Sequence, residues 1–188
     1  MPSLDTGLRP ESGRQVTTLW LDVAGARLHA WLVTPATKPP WPLVAMAHGW
    51  AAVKEMNLDL FAAAISDAGL AALVFDHRGF GASSGLAGDI DPELQIADYR
   101  AALSYAAELP EVDSNRLGVW GTSYSGGHVL RIAESDERVR AAVAQVPTIS
   151  GGKVTLRRTG RGTLPQLRRE WAIDHSASWQ VIPRATFG

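Results

Sequence analysis

The sequence contains no cysteine among its 188 residues. Disulfide bonds, thiolate nucleophiles and cysteine-bound metal ions are therefore excluded, and we predict a cytoplasmic location. No apolar run approaches the roughly 20 residues that a bilayer-spanning helix needs. Residues 1–15 are polar and lack the apolar core of a signal peptide. We therefore expect no membrane attachment and a short polar leader over residues 1–15.

Metal-binding patterns are also missing, because the five histidines are scattered without the spacing of a ligand set. We predict no metal site. The formal net charge of −1 argues against a general nucleic-acid binder. The charge is uneven, since Glu170 and Asp174 are the acidic residues after position 150, against Lys153, Arg157, Arg158, Arg161, Arg168, Arg169 and Arg184. Because the overall charge balance is acidic, we expect no contact with nucleic acid.

Short apolar runs alternate with helical patterns through most of the chain. Two β-prone runs, Thr17–Asp22 and Arg27–Val33, flank a turn and predict an antiparallel hairpin. Further strands are predicted at 43–47, 71–75, 117–120 and 139–146, with helices starting near 57, 91 and 123. Crossover helices between buried strands imply a mostly parallel sheet covered on both faces. We predict an α/β core over residues 16–147, then a basic tail over 148–188.

Three of the predicted strands end in unusual sequences. The carboxyl edge of an open α/β sheet is where functional groups gather. At that edge the sequence places His48-Gly49-Trp50, Asp76-His77-Arg78-Gly79 and Gly121-Thr122-Ser123. We therefore look for the site among these three strand ends.

The last of these strand ends fits a nucleophile elbow, a Gly-x-Ser-x-Gly turn between a strand and a helix. Either Ser123 or Ser125 could be its centre, because each has a glycine on one side and a serine on the other. The strand ends at Trp120 or Gly121, so the corner residue is Ser123. Ser125 then serves as a small spacer in the first helical turn, and Gly126 supports the close approach of helix and strand. The plainer alternative is a serine that only caps a helix.

An acyl-transfer enzyme also needs donors for the oxyanion that forms on the carbonyl. The residue after the nucleophile, Tyr124, would supply one backbone N–H at the start of the helix. The loop after the earlier strand would supply the other, from Trp50, with Gly49 forming the turn.

The histidines at these strand ends favour structural roles. His48 is expected to hydrogen-bond to the backbone. Asp76 and His77 are adjacent in a strand end and point to opposite sides, so a turn held by Asp76 and Arg78 is favoured over a catalytic dyad. His128 lies off the face of the helix that carries Ser123 and is expected to be a packing or surface residue.

The segments "AMAHGW", "FDHRGFGASSG" and "GVWGTSYSGGHVL", in this order, resemble the α/β-hydrolase superfamily, and the dienelactone hydrolase-like and acyl-peptidase-like esterases in particular. The resemblance covers roughly residues 16–146. It implies a serine hydrolase that acts on a small-molecule ester, thioester or amide without a cofactor. Ser123 would correspond to the nucleophile, and Trp50 and Tyr124 to the oxyanion hole.

The family's triad order is serine, acid, histidine. After residue 146 the only Asp is Asp174 and the only His is the adjacent His175, and the basic tail looks like the start of a lid. We therefore expect a truncated or frame-shifted hydrolase in which the triad acid and base are not found and activity is doubtful. The alternative is a non-catalytic hydrolase-like protein that acts in an oligomer, such as a homodimer covering an exposed sheet edge.

Overall fold

A computed structural model gives the fold and describes residues 13–150. The chain divides into two units, Met1–Ile149 and Ser150–Gly188, and the fold below is that of the first. Residues 1–12 of the predicted leader and residues 151–188 of the predicted tail lie outside the described residues. The candidate base His175 is among them.

The described residues form strands and helices in near-regular alternation. The strands are β1 (Gln15–Val23), β2 (Ala26–Thr34), β3 (Trp41–Ala47), β4 (Ala71–Phe75), β5 (Val112–Thr122) and β6 (Val139–Gln145). The helices are α1 (Leu58–Asp67), α2 (Pro92–Glu108) and α3 (Tyr124–Ser135).

The strands form one sheet in the order β1-β2-β4-β3-β5-β6. β2 pairs antiparallel with β1 and β4, while β3 pairs parallel with β4 and β5, and β5 with β6. The predicted α/β fold with an N-terminal hairpin is confirmed. After β3 the chain winds to β4 on one side and then crosses to β5 on the other. The carboxyl ends of β3 and β5 therefore meet where the winding changes direction, the usual position of a ligand site in such sheets.

Alternating side chains of the strands build a core on each face of the sheet. On one face Leu43 and Ala45 belong to a cluster that includes Ile96 and Leu103 of α2. On the other face Met46 lies in a cluster with residues of α1. Burial on both faces explains why these strands appear as continuous apolar runs in the sequence.

Helix α2 begins where the sequence predicts. The Asp91 carboxylate accepts hydrogen bonds from the N–H groups of Glu93 (2.9 Å) and Leu94 (3.1 Å), and Pro92 occupies the first turn. This cap satisfies two N–H groups that have no partner within the helix. Among residues 13–150, no helix has both the length and the apolar character needed to cross a membrane.

Strand β6 borders the described part of the sheet, and Val143 on it is half exposed. A homodimer that covers this edge stays a prediction, as do the cytoplasmic location and the lack of contact with nucleic acid.

Candidate functional site

Ser123 occupies the corner between β5 and α3, with φ 54° and ψ −108°. This is a conformation that side chains other than glycine rarely adopt, and it costs about 1–3 kcal/mol. The segment that contains the end of β6 fixes the corner on both sides: the Ser123 N–H donates to the Gln145 carbonyl, and the Thr148 N–H donates to the Ser123 carbonyl, both at 2.8 Å. The corner is therefore a strained, well-held elbow with a half-buried serine at its tip.

The glycines around the elbow lie where the backbone leaves no space for a side chain. A Cβ on Gly121 would lie 2.4 Å from the Ser125 carbonyl oxygen, and one on Gly126 would lie 3.0 Å from Pro147 Cα. Contacts this short with backbone atoms cannot be relieved by rotating a side chain. The glycine pattern in the sequence thus reflects the close packing of the first turn of α3 against β5 and the segment after β6.

The loop after β3 lies directly against the elbow. A Cβ on Gly49 would lie 3.1 Å from Ser123 Cβ. The exposed ring of Trp50 packs edge-on against the ring of Tyr124, with centroids 5.0 Å apart. Within residues 13–150, neither the Trp50 N–H nor the Tyr124 N–H donates a hydrogen bond. The two donors named from the sequence thus lie on segments that touch Ser123.

Three buried histidines lie behind the elbow. His48 Nε2 accepts the backbone N–H of His77 at 3.1 Å, and His48 Nδ1–H donates to the Gly49 carbonyl at 2.9 Å, which confirms its predicted backbone role. His128 is bonded to Gln95 at 2.9 Å and packs against Tyr124. None of the histidines among residues 13–150 hydrogen-bonds to Ser123 Oγ.

Burial keeps these histidines neutral. Desolvation lowers the pKa of His48, lowers the pKa of His77 well below its ordinary value of 6.5, and lowers the pKa of His128 to about 4. Neighbouring groups add to the effect, notably His48 on His77 and Arg131 on His128. At neutral pH the ring nitrogens therefore act as ordinary hydrogen-bond donors and acceptors.

The lowered pKa of His128 makes the stability of the fold sensitive to acid. Because the folded pKa of His128 lies below its unfolded value, the unfolded chain binds more protons between pH 6.5 and about 4. Stability is full above pH 6.5 and falls as the pH is lowered. His128→Gln has no titrating ring, and its amide can still donate to Gln95. We expect this variant to lose about 2 kcal/mol less stability than wild type when the pH is lowered from 6.5 to 5. Urea unfolding of both proteins at pH 7, 6.5 and 5 measures this; an identical pH dependence would contradict it.

The turn after β4 is held by buried ionic groups. Asp76 is fully buried, and its carboxylate accepts from the Lys54 backbone N–H (2.7 Å) and the Lys54 Nζ (2.6 Å). Arg78 binds both carboxylate oxygens of the buried Asp98. The predicted structural role of Asp76 and Arg78 is confirmed. The sequence did not reveal Lys54 as the partner, because nothing in its neighbours marks it as buried.

One cluster within residues 13–150 could in principle bind a metal ion, since His29, Glu55 and Asp76 place potential ligand atoms within 4.8 Å of one another. The ammonium of Lys54 lies 2.7 Å from Glu55 Oε1 and 2.6 Å from Asp76 Oδ2. A protein cation therefore already lies between these two carboxylates, and we assign no metal to the cluster.

The sequence of this chain is similar to those of known proteins. Residues 24–184 match the X-Pro dipeptidyl-peptidase (S15) family. The chain is 40% identical over 131 residues to the quorum-quenching protein AidA of Acinetobacter baumannii, covering 69% of this chain and 43% of AidA. It is 38% identical over 109 residues to the thiohydrolase aneE of Aspergillus aculeatus, covering 57% of this chain and 34% of aneE.

A similar fold is found in the crystal structure of the hypothetical protein PA2218 from Pseudomonas aeruginosa. The TM-score is 0.76 at 27% identity, over 94% of this chain and 58% of that one. The chain thus spans less than two thirds of each of these proteins. The family match includes the loop after β3, the turn after β4 and the elbow, so it covers all three strand ends. The α/β-hydrolase resemblance is confirmed, and the chain belongs to the X-Pro dipeptidyl-peptidase (S15) family of α/β hydrolases.

Proposed function

We propose that this chain carries the nucleophile and the oxyanion hole of a serine hydrolase that acts on carboxylic esters, thioesters or amides. The observation that supports this most is the elbow itself: Ser123 is held at positive φ with the loop after β3 packed against it. The N–H groups of Trp50 and Tyr124 lie on the two segments that meet there. Strain of this kind persists only where the surrounding structure enforces it, and it clusters at catalytic sites.

The reaction begins when Ser123 Oγ attacks the substrate's carbonyl carbon. A carbon–oxygen bond forms, and the carbonyl π electrons move onto the oxygen, which the N–H groups of Trp50 and Tyr124 stabilise. When this intermediate collapses, the bond to the leaving alcohol, thiol or amine breaks. The leaving group takes up one proton, which balances the proton that the serine hydroxyl lost. Water then attacks the acyl-serine, releasing the acid and restoring the hydroxyl.

The proton from Ser123 needs an acceptor. None of the four histidines among residues 13–150 bonds to Ser123 Oγ, and His175 lies outside the described residues. Acylation by an activated substrate makes the smallest demand on acid–base groups of the protein, because its leaving group departs without protonation and the serine proton can pass to solvent water. Thioesters come first among natural substrate classes, since one relative is named a thiohydrolase.

The test is a burst of leaving group from p-nitrophenyl acetate and from phenyl thioacetate. We expect about one equivalent of leaving group per chain and a matching acetyl mass increment, because acylation should outpace deacylation. Ser123→Ala should show neither. The control is Ser114→Ala, an exposed serine at the far end of β5, which should behave as wild type. An unchanged burst in Ser123→Ala would refute the assignment of the nucleophile.

A further inference from the structure

Ser125 does more than fill a small space. It is fully buried in the first turn of α3, and its hydroxyl donates to the carbonyl oxygen of His48. The same Oγ lies 2.7 Å from Nε2 of the buried His77. One hydroxyl therefore joins the loop after β3, the turn after β4 and the helix that follows the elbow.

The hydrogen positions in this network follow from counting donors. The His48 carbonyl can only accept, so the single hydrogen of the Ser125 hydroxyl points toward it. Nε2 of His77 must then carry a hydrogen and donate it to Ser125 Oγ. This leaves Nδ1 of His77 as a bare acceptor, in agreement with its lack of a partner among residues 13–150. His77 is thus fixed as the neutral Nε2–H tautomer.

The network connects the two segments that carry the oxyanion donors. The His48 carbonyl lies two residues before Trp50, and Ser125 directly follows Tyr124. A second hydrogen bond fixes the loop after β3, because the His48 ring accepts the backbone N–H of His77. The distance between the two donors therefore depends on hydrogen bonds that lie entirely behind the site.

We propose that Ser125 and His77 are positioning residues that set the spacing between the two oxyanion donors. The proposal rests on the proposed function. Neither residue is accessible to a substrate, since Ser125 is 0% and His77 1% exposed. They act through backbone geometry, and a displacement of about 1 Å in such a site can cost about 100-fold in rate.

The first test compares two buried serines. Ser125→Ala should slow the p-nitrophenyl acetate burst about 100-fold through its rate constant, with little change in substrate affinity. Ser66→Ala is the matched control, because Ser66 in α1 is also buried but its hydroxyl has no partner among residues 13–150. Its burst should equal that of wild type. Equal burst rates for Ser125→Ala and wild type would overturn the proposal.

The second test substitutes His77. It therefore remains valid even if Ser125→Ala does not fold. His77→Gln keeps an N–H donor at the position of Nε2, whereas His77→Met fills a similar volume without one. Glutamine should restore most of the wild-type rate, and methionine should match the slow rate of Ser125→Ala. Equal rates for the glutamine and methionine variants would remove His77 from the proposal.

Backbone amide shifts separate this proposal from the proposed function. In 1H–15N spectra, Ser125→Ala should move the Trp50 and Tyr124 amide signals, and Ser66→Ala should leave both in place. If wild type shows no burst, the proposed function fails, and moved amide signals still support the positioning role. If the signals stay in place in Ser125→Ala, the positioning role is overturned whatever the activity.

Discussion

Ser123→Gly is expected to abolish the acyl burst and yet to give a more stable protein than Ser123→Ala. Both variants lack the nucleophilic oxygen, so neither can form an acyl-enzyme. They differ in the backbone, because alanine must adopt φ 54° and glycine adopts it freely. After subtracting the greater entropy of glycine in the unfolded chain, we expect an advantage of about 1 kcal/mol for glycine.

At the control position, we expect the stability difference between the glycine and alanine variants to have the opposite sign. Ser104 is an exposed residue of α2, and its replacement by glycine should be about 1 kcal/mol less stable than its replacement by alanine. Urea unfolding of the four variants measures both differences. If Ser123→Gly is no more stable than Ser123→Ala, the elbow is not strained, and a main support for the nucleophile is lost.

Lys54→Met is expected to lower the free energy of unfolding by about 3–5 kcal/mol. Lys54 is fully buried, with its Nζ 2.6 Å from the Asp76 carboxylate and 4.8 Å from the centroid of the Trp31 ring. Methionine fills similar space but leaves a buried carboxylate without its cation. The loss should exceed that of any surface substitution, since a change at the exposed Lys38 should stay within about 0.5 kcal/mol.

A double variant separates lost charge balance from lost packing. Asp76→Asn added to Lys54→Met removes both buried charges and keeps a side-chain oxygen for the Lys54-position N–H. We expect the double variant to be more stable than Lys54→Met alone, because no uncompensated charge remains buried. Chemical unfolding of the three proteins gives the comparison. A double variant less stable than Lys54→Met would show that packing, not charge, dominates.

The sequence predicted the parts of this fold that depend on local pattern. Gly49, Gly121 and Gly126 mark places where backbones touch, and such places demand glycine whatever surrounds them. The strand ends were predictable because buried parallel strands appear as apolar runs. The start of β5 was missed, since residues 113–116 are polar and β5 was expected only from residue 117.

The hydrogen-bond network behind the elbow could not be predicted in this way. Ser125 is separated from His48 by 77 positions and from His77 by 48, and Lys54 from Asp76 by 22. No periodicity links such partners, and each residue type is common in exposed positions too. Only the sheet order, which places β3 between β4 and β5, brings these side chains together.

The site at which a fluorophosphonate attaches tests the assignment of the nucleophile most directly. The protein is incubated with the probe, digested, and its modified peptide sequenced by mass spectrometry. Ser123 and Ser125 lie two residues apart, so fragment ions must separate them. We predict the phosphonyl group on Ser123, at the half-buried tip of the elbow, and none on the fully buried Ser125. A phosphonyl group on any other residue, or no adduct, would contradict the assignment of Ser123 as the nucleophile.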